Sequence, residues 1–298
     1  MTPSATPEIY CLEPALPPGM AVLRVAVAET TTILAEVTDS RFTVAARVHA
    51  LRKFTKRMRS LFRLVRLGFP DFKGANVMLR DIARLVSSHR DARVMAGIVE
   101  NLGRSRTLDP VVDWFDYRAE AAERLAAGKL TDIADQLQGL LVELDAWDFS
   151  EVTVDHVLGG FRETFIIVLE RGGLVSDQSD REEAHEWRKC CKDHWYHLRL
   201  LHDVLPKQER ARIDDYDELC DLLGNVHDRD VLLHHLDGLP DFLGETRQAG
   251  AIARGARRER KALQAQAVAL AGRLLDAESR KLPGKIRRNW NRRLHHER

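Results

Sequence analysis

Apolar residues recur at helical spacing along almost the whole chain, which predicts an all-α protein. The clearest case is residues 47–66, where six apolar side chains would share one side of a helix: Val48, Leu51, Met58, Leu61, Phe62 and Val65. Similar patterns predict helices at residues 20–37, 75–101, 110–128, 131–147, 152–171, 180–204, 207–238 and 246–280. Glycine and proline separate these segments, and an aromatic content of only 6% is also typical of helical proteins.

The other side of the 47–66 helix is strongly basic, and the stretch contains no acidic residue. Its cations recur at steps of four and three, with two further basic residues beside them: Arg52, Lys56, Arg59, Arg63 and Arg66, then His49 and Lys53. A solvated helix face normally mixes acids and bases in pairs four residues apart, and such pairs are missing here. Because crowded positive charges repel one another, the pattern favours a polyanion as partner, along a strip about 30 Å long.

The basic pattern of this helix returns in the second half of the chain. Corresponding positions lie 136 residues apart: His49 and His185, Arg52 and Arg188, Lys53 and Lys189, Lys56 and Lys192, Arg63 and Arg199. A second block repeats at an offset of 137 residues: Leu85 and Leu222, Asp91 and Asp228, Val94 and Val231. Two copies in the same order predict a tandem duplication.

The predicted duplication divides the chain into three parts. We expect an irregular, proline-rich arm at residues 1–18, a first helical half at 19–150, and a second half at 151–298 that ends in a basic tail. The net charge is only +1, but the charge is segregated, with acidic residues concentrated in residues 109–155. This segregation leaves open a scaffold whose basic strips dock an acidic protein segment.

Cysteine spacing and hydropathy predict a cytoplasmic protein. The four cysteines form no C-x2-C pair, which is typical of reduced thiols. We expect no leader peptide and no membrane partner, because the N-terminus lacks a leader pattern and no apolar run reaches roughly 18 residues.

Catalytic and metal-binding motifs are missing from the sequence. It contains no P-loop, dinucleotide-binding or nucleophile-elbow motif, and no zinc-like spacing of histidine and cysteine. We therefore expect neither an enzyme nor a metal or other cofactor. His49 and His185, which head the two strips, could contact phosphate or fix one helix against another. Asp91 and Asp228 fit helix caps, or partners that orient an arginine such as Arg90, better than a catalytic pair.

Both basic strips resemble the basic helices of the CHAD family of α-helical domains, in which a histidine heads each strip. The first copy reads V-H-x2-R-K-x2-K-R-M-R-x3-R-L, and the second reads A-H-x2-R-K-x2-K-x6-R-L. The downstream blocks are similar to that family's second motif: L-V-S-S-H-R-D-A-R-V and L-L-G-N-V-H-D-R-D-V-L-L. This resemblance covers roughly residues 20–290 and implies two pseudo-symmetric helical bundles whose basic helices line a central cleft.

The resemblance also implies a function, the non-enzymatic binding of inorganic polyphosphate, and with it an association with polyphosphate granules. The candidate contacts are His49, Arg52, Lys53, Lys56, Arg57, Arg59, Arg63, Arg90, His185, Arg188, Lys189, Lys192 and Arg199. In the second strip, Asp193 and Trp195 stand where Arg57 and Arg59 stand in the first. We therefore expect the first strip to contribute more to binding.

Nucleic acid, RNA rather than DNA, is the main alternative ligand. Single-stranded nucleic acid usually recruits exposed aromatic side chains for stacking, and only Phe54 and Tyr196 lie on or near the basic faces. An enzyme that acts on phosphate chains is a further alternative, although no catalytic motif supports it.

Overall fold

The computed structural model describes residues 10–102, 110–174, 181–275 and 281–296, and every regular element within these ranges is a helix. The α-helices are α1 (Pro18–Thr38), α2 (Val44–Leu64), α3 (Phe72–Arg84), α4 (Ser87–Leu102), α5 (Pro110–Ala127), α6 (Leu130–Ala146), α7 (Val154–Leu174), α8 (Arg181–Leu200), α9 (Lys207–Arg210), α10 (Ile213–Asp237), α11 (Asp241–Gly244), α12 (Arg247–Leu274) and α13 (Leu282–His296). A short 3-10 turn covers His202–Val204. The predicted all-α class is confirmed.

The two predicted basic helices, α2 and α8, contact each other through buried polar groups. The Ser60 hydroxyl donates to the main-chain oxygen of Asp193 at 3.2 Å, and the Nε2 atom of His197 lies 3.0 Å from the main-chain oxygen of Ser60. Arg63 forms an ion pair with the Asp193 carboxylate beside these bonds. Within the basic helices the predicted repeat offset is 136, so the counterpart of Ser60 is Tyr196, and His197 lies one position beyond it.

The order in which the helices pack is similar in the two halves. Helix α1 packs on α2 and α6, and in the second half α7 packs on α8 and α13. Likewise α4 packs on α5, and α10 packs on α12. A tandem duplication would produce this order, although the duplication itself stays a prediction from the sequence.

Apolar side chains form two clusters in the interior. The larger one joins α1, α2, α6, α7 and α8 and includes Phe62, Phe161, Trp187 and Trp290. The smaller one lies between α4, α5, the end of α10 and the start of α12, and includes Val99. All six apolar residues predicted for the inner side of α2 are buried. This burial stabilises a helix whose other side is too charged to pack in the interior.

Two predicted helices are each divided in the structure. The segment predicted at 75–101 forms α3 and α4, because the main-chain N–H of Leu85 bonds to Ile82 three residues back and ends the first helix. The segment predicted at 207–238 forms the short α9 and the long α10. At their junction Arg212 pairs with Glu209 at 3.2 Å and donates to the main-chain oxygen of Arg273 at 2.7 Å. Helix α10 runs through Gly224 without a break.

The basic C-terminal segment is a helix rather than an extended tail. In α13, Leu282, Ile286 and Trp290 are buried at steps of four residues, and the helix packs on α7 and on the 3-10 turn. Helix α12 ends at Leu274, and the predicted extension over 276–280 lies outside the described residues.

Two further sequence expectations concern thiols and hydropathy. Cys11, Cys190, Cys191 and Cys220 are free thiols, and burial raises the pKa of Cys11 to about 11 and that of Cys220 to about 12. Within the ranges that the structure describes, no helix has both the length and the apolar character that a bilayer-spanning segment needs.

The close approach of α7 to α2 depends on Gly160. A Cβ atom added at Gly160 would lie 2.0 Å from the main-chain oxygen of Leu64, so Gly160→Ala must push the helices apart. We expect this variant to lose about 1–3 kcal/mol of unfolding free energy in chemical denaturation. Gly139→Ala is the control, because nothing lies within 4 Å of a Cβ added there. Because Gly139 lies on the exposed face of α6, where alanine is a better helix former than glycine, the control should gain about 0.5–1 kcal/mol of unfolding free energy. Equal effects of the two substitutions would contradict the described contact.

Acid sensitivity should arise from the buried His194. Its ring packs against Phe161, Phe165 and Tyr216, and burial lowers its pKa to about 3. In the unfolded chain the pKa is about 6.5, so above that pH the ring is neutral in both states and its contribution to stability is complete. This contribution is lost progressively as the pH falls from about 6.5 towards 3. Protonation of the unfolded chain at pH 5 therefore costs about 2 kcal/mol of stability for this residue.

The measurement is chemical denaturation of the wild type and of His194→Leu at pH 7 and at pH 5. We expect the variant to lose about 2 kcal/mol less than the wild type between these two pH values. Parallel losses in the two proteins would show that the ring titrates freely in the folded state.

Candidate functional site

Cations from both basic helices line one pocket at the contact between α2 and α8. This central pocket has a volume of about 390 Å³. Six cations line it, three from each helix: Lys56, Arg59 and Arg63 from α2, and Arg188, Lys189 and Lys192 from α8. Tyr196 and Asp193 complete the lining. The structure therefore brings together residues that lie more than 120 positions apart in the sequence.

A second pocket, of about 460 Å³, continues from the first towards α10. This outer pocket adds His49, Arg52 and Lys53 from the first strip and shares Lys56, Arg188, Lys192 and Tyr196 with the central pocket. Its α10 side consists of Asp217, Cys220, Asp221, Gly224, Asn225 and Asp228. Because the two pockets share lining residues, we treat them as one surface and call it the α2–α8 groove.

Burial disfavours the charged form of two arginines at one end of the groove. It lowers the pKa of Arg59, with a further contribution from Arg80, and it lowers the pKa of Arg63, with a further contribution from Arg59. Arg59 donates from Nε to the side-chain oxygen of Asn76 at 2.8 Å, which fixes the guanidinium in place. A fixed and partly desolvated guanidinium gains more from an added anion than a cation that is fully hydrated.

Several cations of the groove have carboxylates from this chain as partners. Arg63 pairs with Asp193, and Lys189 Nζ lies 2.5 Å from an oxygen of Glu186. Lys192 Nζ lies 3.3 Å from an oxygen of Asp217 and 3.8 Å from the centre of the Trp195 ring. The Lys192 and Asp217 side chains are 27% and 44% exposed, so water weakens this pair and an anionic ligand can displace Asp217.

The two histidines that head the strips have different surroundings. His49 is exposed and lines the outer pocket. His185 lines neither pocket; its Nδ1 atom lies 3.1 Å from Nδ1 of His227, and the two rings stack with their centres 4.4 Å apart. Burial lowers the pKa of His185, and Lys189 and Arg188 lower it further. A neutral His185 can share one proton with His227 across the short contact.

Besides His185, three further predicted contact residues lie away from both pockets or outside the described side chains. Arg57 is buried, with its guanidinium 4.2 Å from the Tyr10 ring centre and 2.7 Å from an oxygen of Glu29, so it belongs to the packing between α1 and α2. Arg199 lies on a neighbouring pocket of about 720 Å³, which Lys53 also lines. Helix α4 contains Arg90, but its side chain lies outside the described residues.

The structure also adds two features to the site that the sequence did not indicate. Tyr10 and Cys11, from the irregular arm, line the neighbouring pocket beside Arg199. The arm is held there by the main-chain N–H of Leu12, which donates to the main-chain oxygen of Leu200 at 2.8 Å.

The second unpredicted feature is an acidic wall on α10 next to the groove. Four carboxylates at helical spacing line a pocket there, and two of them, Asp217 and Asp221, also line the outer pocket; the four are Asp214, Asp217, Glu218 and Asp221. The spacing of these carboxylates can be read from the sequence, but the sequence does not show which helix they lie beside. The α2–α8 groove therefore has a basic side and an acidic edge.

Aromatic and metal-binding groups bear on what the groove can bind. Phe54 and Tyr196, the two candidates for stacking, are each only 3% exposed. Among the residues that the structure describes, no group of three or more His, Cys, Asp or Glu side chains is placed to hold a metal ion. The arrangement is suited to holding several phosphate oxygens at once through charge-assisted hydrogen bonds.

Comparison with known proteins gives the same family as the sequence motifs. The family model described as the CHAD domain matches residues 24–237. The crystal structure of the CHAD domain from the plant Ricinus communis is similar in fold, with a TM-score of 0.61 and 17% identity over 93% of this chain and 94% of that chain. No curated protein sequence matches. Because the family model covers well over half of the sequence, the chain belongs to the CHAD domain family.

Proposed function

We propose that this protein binds inorganic polyphosphate in the α2–α8 groove and does not transform it. The observation that carries the proposal is the central pocket, where six cations from two distant segments surround about 390 Å³. Membership of the CHAD family supports the same class of ligand. Binding of this kind would also recruit the protein to polyphosphate granules.

A linear chain of phosphates matches the groove better than a nucleic acid does. Arginine offers a planar fork of donors to phosphate oxygens, and lysine adds a compact charge. The groove offers little aromatic surface for stacking a base, because Tyr196 and Trp195, which line it, are only 3% and 6% exposed, and Phe54 is buried. RNA therefore remains an outcome that the experiment must distinguish rather than the favoured ligand.

The proposed contacts divide into three sets along the groove. Lys56, Arg188 and Lys192 line both pockets and hold the middle of the chain. Arg59, Arg63 and Lys189 hold the part in the central pocket, and His49, Arg52 and Lys53 hold the part in the outer pocket. Arg57 is left out of this set because it is buried against Tyr10 and Glu29.

Counterion release supplies much of the binding free energy in this proposal. Each phosphate that a lysine or arginine neutralises releases condensed salt ions, so affinity falls steeply as the salt concentration rises. The ligand must also displace Asp193 from Arg63 and Asp217 from Lys192. Because these carboxylates compete with the ligand, a chain that engages several cations at once is favoured over a single phosphate.

The proposal is tested by removing four cations of the groove and titrating with long-chain polyphosphate at two salt concentrations in a calorimeter. The groove variant carries alanine at Arg52, Lys56, Arg188 and Lys192. We expect it to bind about 100-fold more weakly than the wild type or worse at 0.1 M salt, with a shallower salt dependence. Circular dichroism establishes that it remains helical.

A distal variant provides the matched control. It loses four exposed cations outside the groove, at Arg41, Lys73, Arg124 and Lys129, so its net charge changes by the same amount. It should bind like the wild type. If both variants bind polyphosphate equally, the groove is not the site. If excess RNA displaces polyphosphate from the wild type, the ligand class is wrong.

A second test concerns the carboxylate that competes with the ligand. Asp217→Asn frees Lys192 from its partner, and we expect the affinity for polyphosphate to rise about two- to fivefold, as befits a partly exposed ion pair. Asp215→Asn is the control, because Asp215 is exposed on the same helix and lines none of the pockets described above. An equal rise in both variants would point to net charge alone.

A further inference from the structure

The exposed face of α12 carries a second row of cations, away from the α2–α8 groove. Its members are Arg247, Arg254, Arg257, Arg258 and Lys261, and all five are exposed. At about 100° per residue these positions fall within about 100° of the helix circumference, and they span roughly 21 Å along its axis. We call this row the α12 stripe.

The nearby acidic side chains are engaged on the inner side of α12. Glu259, the single acid of the helix, accepts hydrogen bonds from Arg229 of α10 at 3.1 and 3.2 Å. Asp230 of α10 pairs with Arg260 at 2.8 Å and with Arg181 at 3.2 Å. None of the stripe residues forms an ion pair within the part of the chain that the structure describes.

The side chains between the stripe cations are small, and no large apolar side chain lies among them. Gly250, Ala251, Ala262 and Ala265 are the residues beside them on the same face. Small side chains let an extended chain of phosphates lie close to the helix while the long arginine and lysine side chains fold over it. This face of α12 has no aromatic ring to stack a base and no large apolar side chain to enter a bilayer.

A route from the groove to the inner side of α12 crosses α10. Asn225 lines the outer pocket, and Arg229 donates to its side-chain oxygen at 3.1 Å. The same guanidinium contacts Glu259 on the inner side of α12, so Arg229 links the outer pocket to α12. Towards the start of α10 the route is acidic, because Asp217 and Asp221 border the groove there.

We propose that the α12 stripe is a second phosphate-chain site, which holds the part of a long polyphosphate that extends beyond the groove over Asn225 and Arg229. This inference rests on the proposed function of the groove. Once one part of a chain occupies the groove, the rest is held near α12 at a high effective concentration. Chains that reach both sites therefore bind more tightly than chains that fill the groove alone.

The experiment compares tripolyphosphate with long-chain polyphosphate on a stripe variant. This variant carries glutamine at Arg254, Arg257, Arg258 and Lys261, and the distal variant again matches its charge. We expect the stripe variant to bind tripolyphosphate like the wild type but long-chain polyphosphate about tenfold more weakly. The slope of log affinity against log salt should fall by about three for the long chain, because each lost phosphate contact removes roughly 0.7.

The outcomes separate this inference from the proposed function. Long-chain affinity equal to that of the distal variant overturns the α12 site and leaves the groove untouched. A groove variant that keeps long-chain binding, with the stripe variant losing it, overturns the groove and makes α12 the main site. Vesicles of anionic lipid are the third probe: if the stripe variant loses vesicle binding but keeps long-chain affinity, the stripe serves a membrane surface and the inference is wrong.

Discussion

Two positively charged helices held side by side form the central constraint of this structure. Their basic faces repel, so the contact depends on buried neutral groups and on the ion pair between Arg63 and Asp193. Ser60 supplies a hydroxyl and a main-chain oxygen, and His197 supplies a ring whose pKa burial lowers to about 3. Apolar side chains behind both helices supply the driving force for burial. The cations are thereby concentrated on the opposite side, where the groove opens.

Much of this arrangement could be predicted from the sequence. Helical spacing separates the apolar side of α2 from its cations, and the repeated motif pairs His49 with His185 and Arg52 with Arg188. Residue spacing does not show how a helix is rotated about its own axis relative to the neighbouring helices. Arg57 belongs to the basic stretch in sequence, yet it faces Glu29 on α1. Only the packing of α1 against α2 decides that orientation.

Other features escaped prediction for equally physical reasons. No glycine or proline marks the end of α3 at Arg84. The helix ends instead where the main-chain N–H of Leu85 donates to the oxygen of Ile82, three residues back. Tyr10 is a single aromatic residue in a proline-rich arm, and its partners come from distant helices. The acidic row on α10 has a clear period, but its position beside α8 depends on a contact between helices that one sequence does not reveal.

The close contact at Gly160 has a consequence for the thermodynamics of recognition. With the main chain of α7 against that of α2, the groove wall has little freedom to lose when a ligand arrives. If a phosphate chain binds there as proposed, the conformational entropy given up on association comes mainly from the ligand, whose backbone must stop rotating at each link. A rigid groove and a flexible ligand would then give a favourable enthalpy that grows with each bound link, opposed by a conformational entropy cost that grows with it.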